Sequence, residues 1–531
     1  MNEEQSTATH DETVVNPTAV ESAATKPRMA RRSPAPTKLL DGTAGQLPAT
    51  QPVLVDGNNN TPTPPAKPPA SDDDDVPLAI VQLVVKTGMT LYQDQFGHAV
   101  AWVQTNGHKE CVRVKSRAMR AILLTLATEA FKATPKPSDI RKAIEILDLR
   151  AYNSRKITLA NRRTVAAQTV MIDLGDAAWR MITVNQTGWA IKAQESPTFY
   201  RTQHQLPLPE PEPGADPYEL FTFIPAESEE VKLLVIVWLL ASMYPVIACP
   251  MLLLIGQQGS GKSVTSKMLR SLLDPSVIPV LGDLEMANLF QTFQHHAVPC
   301  FENVSYFNRN AADIFCRAVT GNGVERRKLY TDSDQVIYSF RRSIIINGID
   351  TPSFRPDFLD RCIIVSRPRI EEFQLLQDLD KAFEKARPRL LGAFLGLLVK
   401  TLQILDRTPA ATEFRMADFA HYGRAVALSL GKTTNAFDEA YRTVTRQNAF
   451  DIVESTPMSR LVKKLADEHI EAQPWRGSLE ELLKKLASIA STTHDTVAKK
   501  DLPGSGRWLR TRLDELAPAL LADNVVVRSL K

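Results

Sequence analysis

Cysteine is scarce in this chain, and its placement excludes more than its number does. The five residues, Cys111, Cys249, Cys300, Cys316 and Cys362, include no C-x-x-C pair. A disulfide framework and a zinc ribbon are therefore excluded, and the pattern fits a reducing, cytoplasmic compartment. The N-terminus lacks an apolar signal region, and no apolar run reads as long enough to span a bilayer, so no membrane partner is expected. The most hydrophobic window, 231–248, is interrupted by Lys232, Trp238, Tyr244 and Pro245 and reads as a buried core helix. Charge of neither sign dominates: the formal net charge is +3, and composition alone does not announce a nucleic-acid binder. Aromatics are almost missing from residues 1–75, which are rich in Pro, Ala, Thr, Ser and Asn. Such a segment cannot bury enough apolar area to offset chain entropy and is expected to be a disordered tail.

What is present begins with one stretch. Met251 to Ile255 is a short apolar run, followed by Gly256-Gln257-Gln258-Gly259-Ser260-Gly261-Lys262-Ser263 and then by Val264, Met268, Leu269, Leu272 and Leu273 at helical spacing. This is G-x-x-x-x-G-K-S between a strand and a helix, the context that gives the motif its meaning. Glycines let backbone N–H groups curl around a polyphosphate, and the helix N-terminus adds its positive end. Residues Gly256 through Val264 are the expected ATP-binding loop. Lys262 reaches the β- and γ-phosphates and Ser263 holds Mg²⁺.

Downstream, the apolar run 297–301 ends in Glu302-Asn303, where a carboxylate at a strand end would bind Mg²⁺ and polarise the attacking water. Pro299 weighs against a regular strand there. A hairpin follows, with Arg326, Arg327, Lys328 and Tyr330 suited to phosphates and base stacking. The stretch 341–348 reads as a buried strand ending in the exposed amide of Asn347, which can orient water against the γ-phosphate. Arg361, just before the strand 362–365, is placed to reach a nucleotide in a neighbouring subunit.

Residues 76–217 read as a small α+β domain. Helices are expected over 116–132 and 138–149, strands around 91–101, 170–175, 179–184 and 189–191, and a Pro-rich stiff linker over 205–216. The basic stretch Arg150, Arg155, Lys156, Arg162 and Arg163 reads as a solvated face or a phosphate track. Residues 218–370 form the P-loop domain and 371–456 a helical bundle, in which Arg424 is a second-sensor or surface candidate. Residues 457–531 read helix, helix, strand, the outline of a winged helix; a helix docking another subunit is the other reading. Ser478 with Glu481 makes a capping box.

The order of P-loop, acidic strand, basic hairpin, Asn-ended strand and Asp-Arg before the last strand resembles the AAA+ core of superfamily III helicases. The run AVTGNGVERRKLYTDSDQVIYSFRRSIIINGI with PDFLDR downstream is most similar to poxvirus-type primase-helicase relatives of phages, plasmids and integrated mobile elements. The resemblance implies a ring, a homo-hexamer, that moves on single-stranded DNA in a central channel using ATP, beside replication proteins such as a partner primase. It assigns Lys262, Glu302, Asn347 and Arg361 to hydrolysis and the basic hairpin to DNA. One departure stands out, since such cores usually carry two acidic residues at the acidic strand, or an Asp first, whereas here Glu302 is followed by Asn303. That keeps open an ATP-binding initiator with weak hydrolysis, beside a further reading as an ATPase acting on protein partners.

Overall fold

The computed structural model describes residues 12–17, 75–105, 107–224, 226–282, 286–321, 324–327, 335–338, 340–349, 351–353, 355–371, 374–469, 473–492 and 502–530. The first unit packs the helices Asp75–Lys86, Arg117–Phe131 and Pro137–Tyr152 on an antiparallel sheet of Thr90–Gln93, Ala99–Thr105 and His108–Arg113. Ser116 starts the second helix by accepting the Met119 N–H at 3.1 Å, and Lys132 ends it in the left-handed region. Between these caps Met119, Leu123, Ala127 and Phe131 recur at a spacing of four and face the shared core.

A four-stranded antiparallel meander follows, Arg163–Ala166, Thr169–Asp173, Arg180–Asn185 and Gly188–Ala193; its first strand escaped the sequence reading. Arg162 corrects that reading further. It is neither a solvated charge nor a phosphate tracker, because it is fully buried and bonded to Asp274, Leu206 and Pro275. The Pro-rich segment is not a free spacer either. Its N–H groups tie it down, Leu206 to Pro275, Leu208 to Leu174 and Glu212 to Pro388.

The central sheet is parallel, in the order Cys300–Phe301, Ile345–Gly348, Met251–Ile255, Cys362–Ser366. Almost every residue in it is buried, as a parallel sheet covered on both faces requires. Leu281 adds a parallel bridge beyond Phe301. Pro299 sits just before the edge strand, where no ladder donor is needed, and its carbonyl accepts the Ile345 N–H at 3.0 Å.

Helices Glu229–Met243, Leu376–Ile404, Ala417–Ser429 and Thr434–Ser455 pack together on one side of this sheet. The stretch 376–407 is long and apolar enough to cross a bilayer by length and composition, contrary to the sequence reading, but 56% of its apolar window is buried inside the protein. Arg424 also departs from expectation. It lies buried in the bundle, clasped by Asp438 at 2.7 Å and by Glu413, which makes it structural.

The last unit holds the helices Pro457–Asp467, Leu479–Thr492 and Gly506–Ala522. Ser478 and Glu481 form the expected capping box, with bonds of 2.7 and 3.3 Å. Its sheet runs Trp475–Ser478, Glu12–Pro17, Val525–Leu530, so the middle strand comes from the other end of the chain. Six residues of the segment read as a disordered tail are therefore in a strand. The remainder of that tail, up to residue 74, lies outside the described residues.

Candidate functional site

The glycine loop grows from the buried strand Met251–Ile255 and closes at Lys262, the first residue of the helix Lys262–Leu273. Two glycines make the bend possible. Gly256 has φ +146°, and a Cβ there would lie 2.2 Å from the Arg367 carbonyl oxygen; Gly261 has φ +71°, and its Cβ would meet Ile370 at 2.9 Å. Any side chain at either position would fill the cradle or break its backbone. Gln257, Gln258 and Gly259 are exposed at the rim, Ser260 is buried beneath them, and Ser263 and Val264 lie half-buried in the first helical turn.

Lys262 folds back over its own loop. Its Nζ donates to the carbonyls of Gly256 at 2.6 Å and Gln257 at 2.7 Å, and to Ser260 Oγ at 3.0 Å. Partial burial, and then the positive charge of Arg367, lower its pKa below that of an ordinary lysine. Both conditions favour the arrival of an anion at this point. Arg367 was missed in the sequence. It follows the last strand, its N–H bonds Ile255 at 2.8 Å and its carbonyl abuts Gly256, while Ile370 N–H reaches Gly259 at 3.1 Å. No periodicity marks such a segment, since its backbone bonds to the loop are not written in residue type.

Glu302 and Asn347 stand level with one another. The pairings Phe301 with Ile346 and Leu254 with Asn347 put both at the sheet edge from which the glycine loop emerges. Glu302 is half-buried, and among the described residues no hydrogen bond or ion pair engages its carboxylate. Asn347 departs from the exposed amide expected of it: it is buried, its Oδ1 accepts the Asn303 N–H at 3.1 Å and its Nδ2 donates to Ser266 Oγ at 3.1 Å. Asn303 itself sits at φ +56°, a left-handed conformation that asparagine tolerates better than most side chains. Among the described residues no three metal-ligating side chains cluster. Ser263 and Glu302 are oxygen donors of the kind Mg²⁺ takes.

Arg361 lies at the other end of the sheet. Its carbonyl accepts the Met251 N–H at 2.8 Å, so it is level with the first residue of the strand whose last residue leads into the loop. Five residues of strand separate the two, roughly 15 Å. Its guanidinium is held by the Asp357 carboxylate and by the Asp357 carbonyl at 2.6 Å, and Arg415 clasps Asp357 and Asp360 beside it. The structure therefore brings Lys262, Glu302 and Asn347 together and keeps Arg361 away from them.

The hairpin has its two strands, Val324–Arg327 and Gln335–Tyr338, paired with Arg326 opposite Val336 and Arg327 opposite Gln335. Lys328 and Tyr330 lie outside the described residues, as do the side chains of Arg326 and Arg327.

Fold and site define a mixed α/β protein with a glycine loop, a facing carboxylate and appended helical units. Residues 218–447 match the family model of the actinomycete integrative conjugative element replication protein, and residues 459–531 match the RepA C-terminal domain of the same elements. No curated protein matches the chain. Among solved structures, the active helicase Cch of SCCmec type IV is similar at 12% identity and a TM-score of 0.40, covering 71% of this chain and 76% of that one. The apo C-terminal region of NrS-1 is similar at 12% identity and 0.36, over 68% and 93%. A JCV helicase structure is similar at 12% identity and 0.20, over 41% and 71%. Likenesses this weak do not define a function.

Proposed function

We propose that this chain is an ATP-driven DNA motor, a replicative helicase of a mobile element with an AAA+ core, hydrolysing ATP between subunits of a ring. One observation carries the reading: Lys262, Glu302 and Asn347 converge at one sheet edge, while Arg361 sits too far away to serve the same nucleotide. An arginine finger that cannot act in its own subunit needs a neighbour. The match to a replication-protein family supports the choice of DNA as track.

The chemistry follows from the groups present. On nucleotide binding, Lys262 leaves the carbonyls of Gly256 and Gln257 for the β- and γ-phosphates, where loop N–H groups and the helix end join it. Glu302 accepts a proton from the attacking water. Asn347 holds the acidic strand and the loop helix in register, so its role is to position Glu302. Ser263 and Glu302 would hold a Mg²⁺ ion, which would supply neutralisation of the phosphate charge. Arg361, released from Asp357, would stabilise the transition state in the adjacent subunit. The hairpin 324–338 grips the strand in the channel.

Asn303 is the feature that favoured a weakly hydrolysing initiator. Its left-handed backbone and its N–H bond to Asn347 give it a positional role in the turn, one that an aspartate could also fill, so the initiator reading stays open beside the motor. A forked-duplex unwinding assay tests the motor reading. ATP-dependent strand displacement that Lys262→Ala abolishes is expected, and DNA binding without displacement would overturn it.

A further inference from the structure

A cavity of about 410 Å³ opens at the root of the hairpin, on the sheet edge opposite the glycine loop. Gly321, just before the hairpin, and Phe340, just after it, form one wall; Phe96 and Tyr200 of the N-terminal units form the other. Three arginines line it, Arg163, Arg341 and Arg342, and among the described residues no Asp or Glu does.

Each arginine is fixed by neutral partners. Arg341 lies across Gly321 and donates to the carbonyls of Val246 and of Pro245, the latter at 3.4 Å. Arg342 donates from Nε to the Phe293 carbonyl at 2.5 Å and from Nη1 to the Arg341 carbonyl at 2.9 Å. Arg163 uses Nη2 for the Ala297 carbonyl and Ser343 Oγ, both at 3.2 Å, while its buried Nη1 has no partner. Burial lowers the Arg163 pKa to about 10; Asp274 opposes that shift and the Arg342 charge adds to it. Positive charges whose direct partners are carbonyls and a hydroxyl, with Asp274 acting on them only through its charge and a buried donor left unused, are arranged for an anionic ligand. The size suits a mononucleotide, and the rings of Phe96 and Tyr200 offer a surface for a base.

We propose that this cavity binds one nucleotide unit of single-stranded DNA, its phosphodiester on Arg163, Arg341 and Arg342, as a contact separate from the hairpin strands. The site would hand the strand from the N-terminal units to the hairpin. It rests on the DNA-motor reading.

The test uses the full chain, a labelled oligothymidylate and fluorescence anisotropy over a salt series. Arg341→Gln, an exposed position, and Arg163→Gln should each weaken binding about tenfold. Each should also reduce the slope of log affinity on log salt by about 0.7, the share of one phosphate contact on a single strand. Binding of a fluorescent ATP analogue should be unchanged. Unchanged DNA affinity and slope in Arg341→Gln, with the wild type binding DNA, would remove the cavity and leave the motor reading standing. A wild type that binds no single-stranded DNA would remove both. Thymidine monophosphate captured at this cavity without any effect on DNA binding would also overturn the proposal, in favour of a free-nucleotide site.

Discussion

The side-chain oxygen of Asn347 accepts the backbone N–H of Asn303 at 3.1 Å, and through that bond the end of one strand fixes the turn that carries Glu302 on its neighbour. The same amide reaches Ser266 on the loop helix, so one residue joins the three elements of the site.

Removing that amide should be costly twice over. Asn347→Leu takes the acceptor from the part-buried Asn303 N–H and the amide donor from the buried Ser266 hydroxyl, about 1–3 kcal/mol in all. Thermal denaturation should show a lowered Tm, and ATP turnover should fall with it. At the partner position, Asn303→Gly should keep both stability and turnover, whereas Asn303→Val should destabilise by roughly 1–2 kcal/mol in chemical denaturation, because a branched residue resists φ +56°. Equal behaviour of the glycine and valine variants would contradict the backbone role given to Asn303.

The placement of Arg361 predicts complementation between two inactive proteins. Arg361→Ala subunits retain a working Lys262, and Lys262→Ala subunits retain a working Arg361. Each alone should be inactive, and mixtures should recover part of the ATP turnover because some interfaces pair the two intact halves. Mixtures no more active than their components would put Arg361 outside the reaction.

Asp274 predicts a pH dependence of stability. It is fully buried at the end of the loop helix, where it accepts from Arg162 Nε at 3.1 Å and from the N–H groups of Ala297 and Val298 at 2.9 and 3.1 Å. Burial pushes its carboxyl up, but the charges of Arg162 and Arg270 and the Val298 N–H outweigh it and hold the pKa at about 2, below the ordinary 3.8. A depressed carboxylate binds fewer protons folded than unfolded. Its contribution is therefore present above about pH 4 and is lost as pH falls from there toward 2. Asp274→Asn should destabilise the chain at neutral pH by about 3–5 kcal/mol, since Arg162 stays buried without its counter-charge. It should also flatten the acid limb of the stability curve. A variant whose acid limb is unchanged would show that another group controls it.

The legible part of this molecule was the part written in local pattern. Ser116 and Ser478 cap helices through their own neighbours, and the run 251–255 alternates with nothing because both faces of its strand are covered. The loop could be read because glycines and a lysine at fixed spacing are themselves the chemistry. What the sequence hid depends on distant partners. Arg162 looks like a surface charge until Asp274, 112 residues away, folds beneath it. The left-handed backbone of Asn303 is set by the turn after Glu302 and by the Asn347 amide, which lies 44 residues away. Arg367 carries no motif, and Glu12–Pro17 reads as featureless until two strands from the far end of the chain flank it.

The central claim is that the loop, Glu302 and DNA act as one machine. The measurement that tests it most directly is ATP hydrolysis by the full chain with and without single-stranded DNA, beside Lys262→Ala and Glu302→Gln. Turnover stimulated by DNA and abolished by both substitutions is the result expected. ATP binding with no turnover, whether or not DNA is present, would contradict the motor and leave a nucleotide-switched initiator in its place.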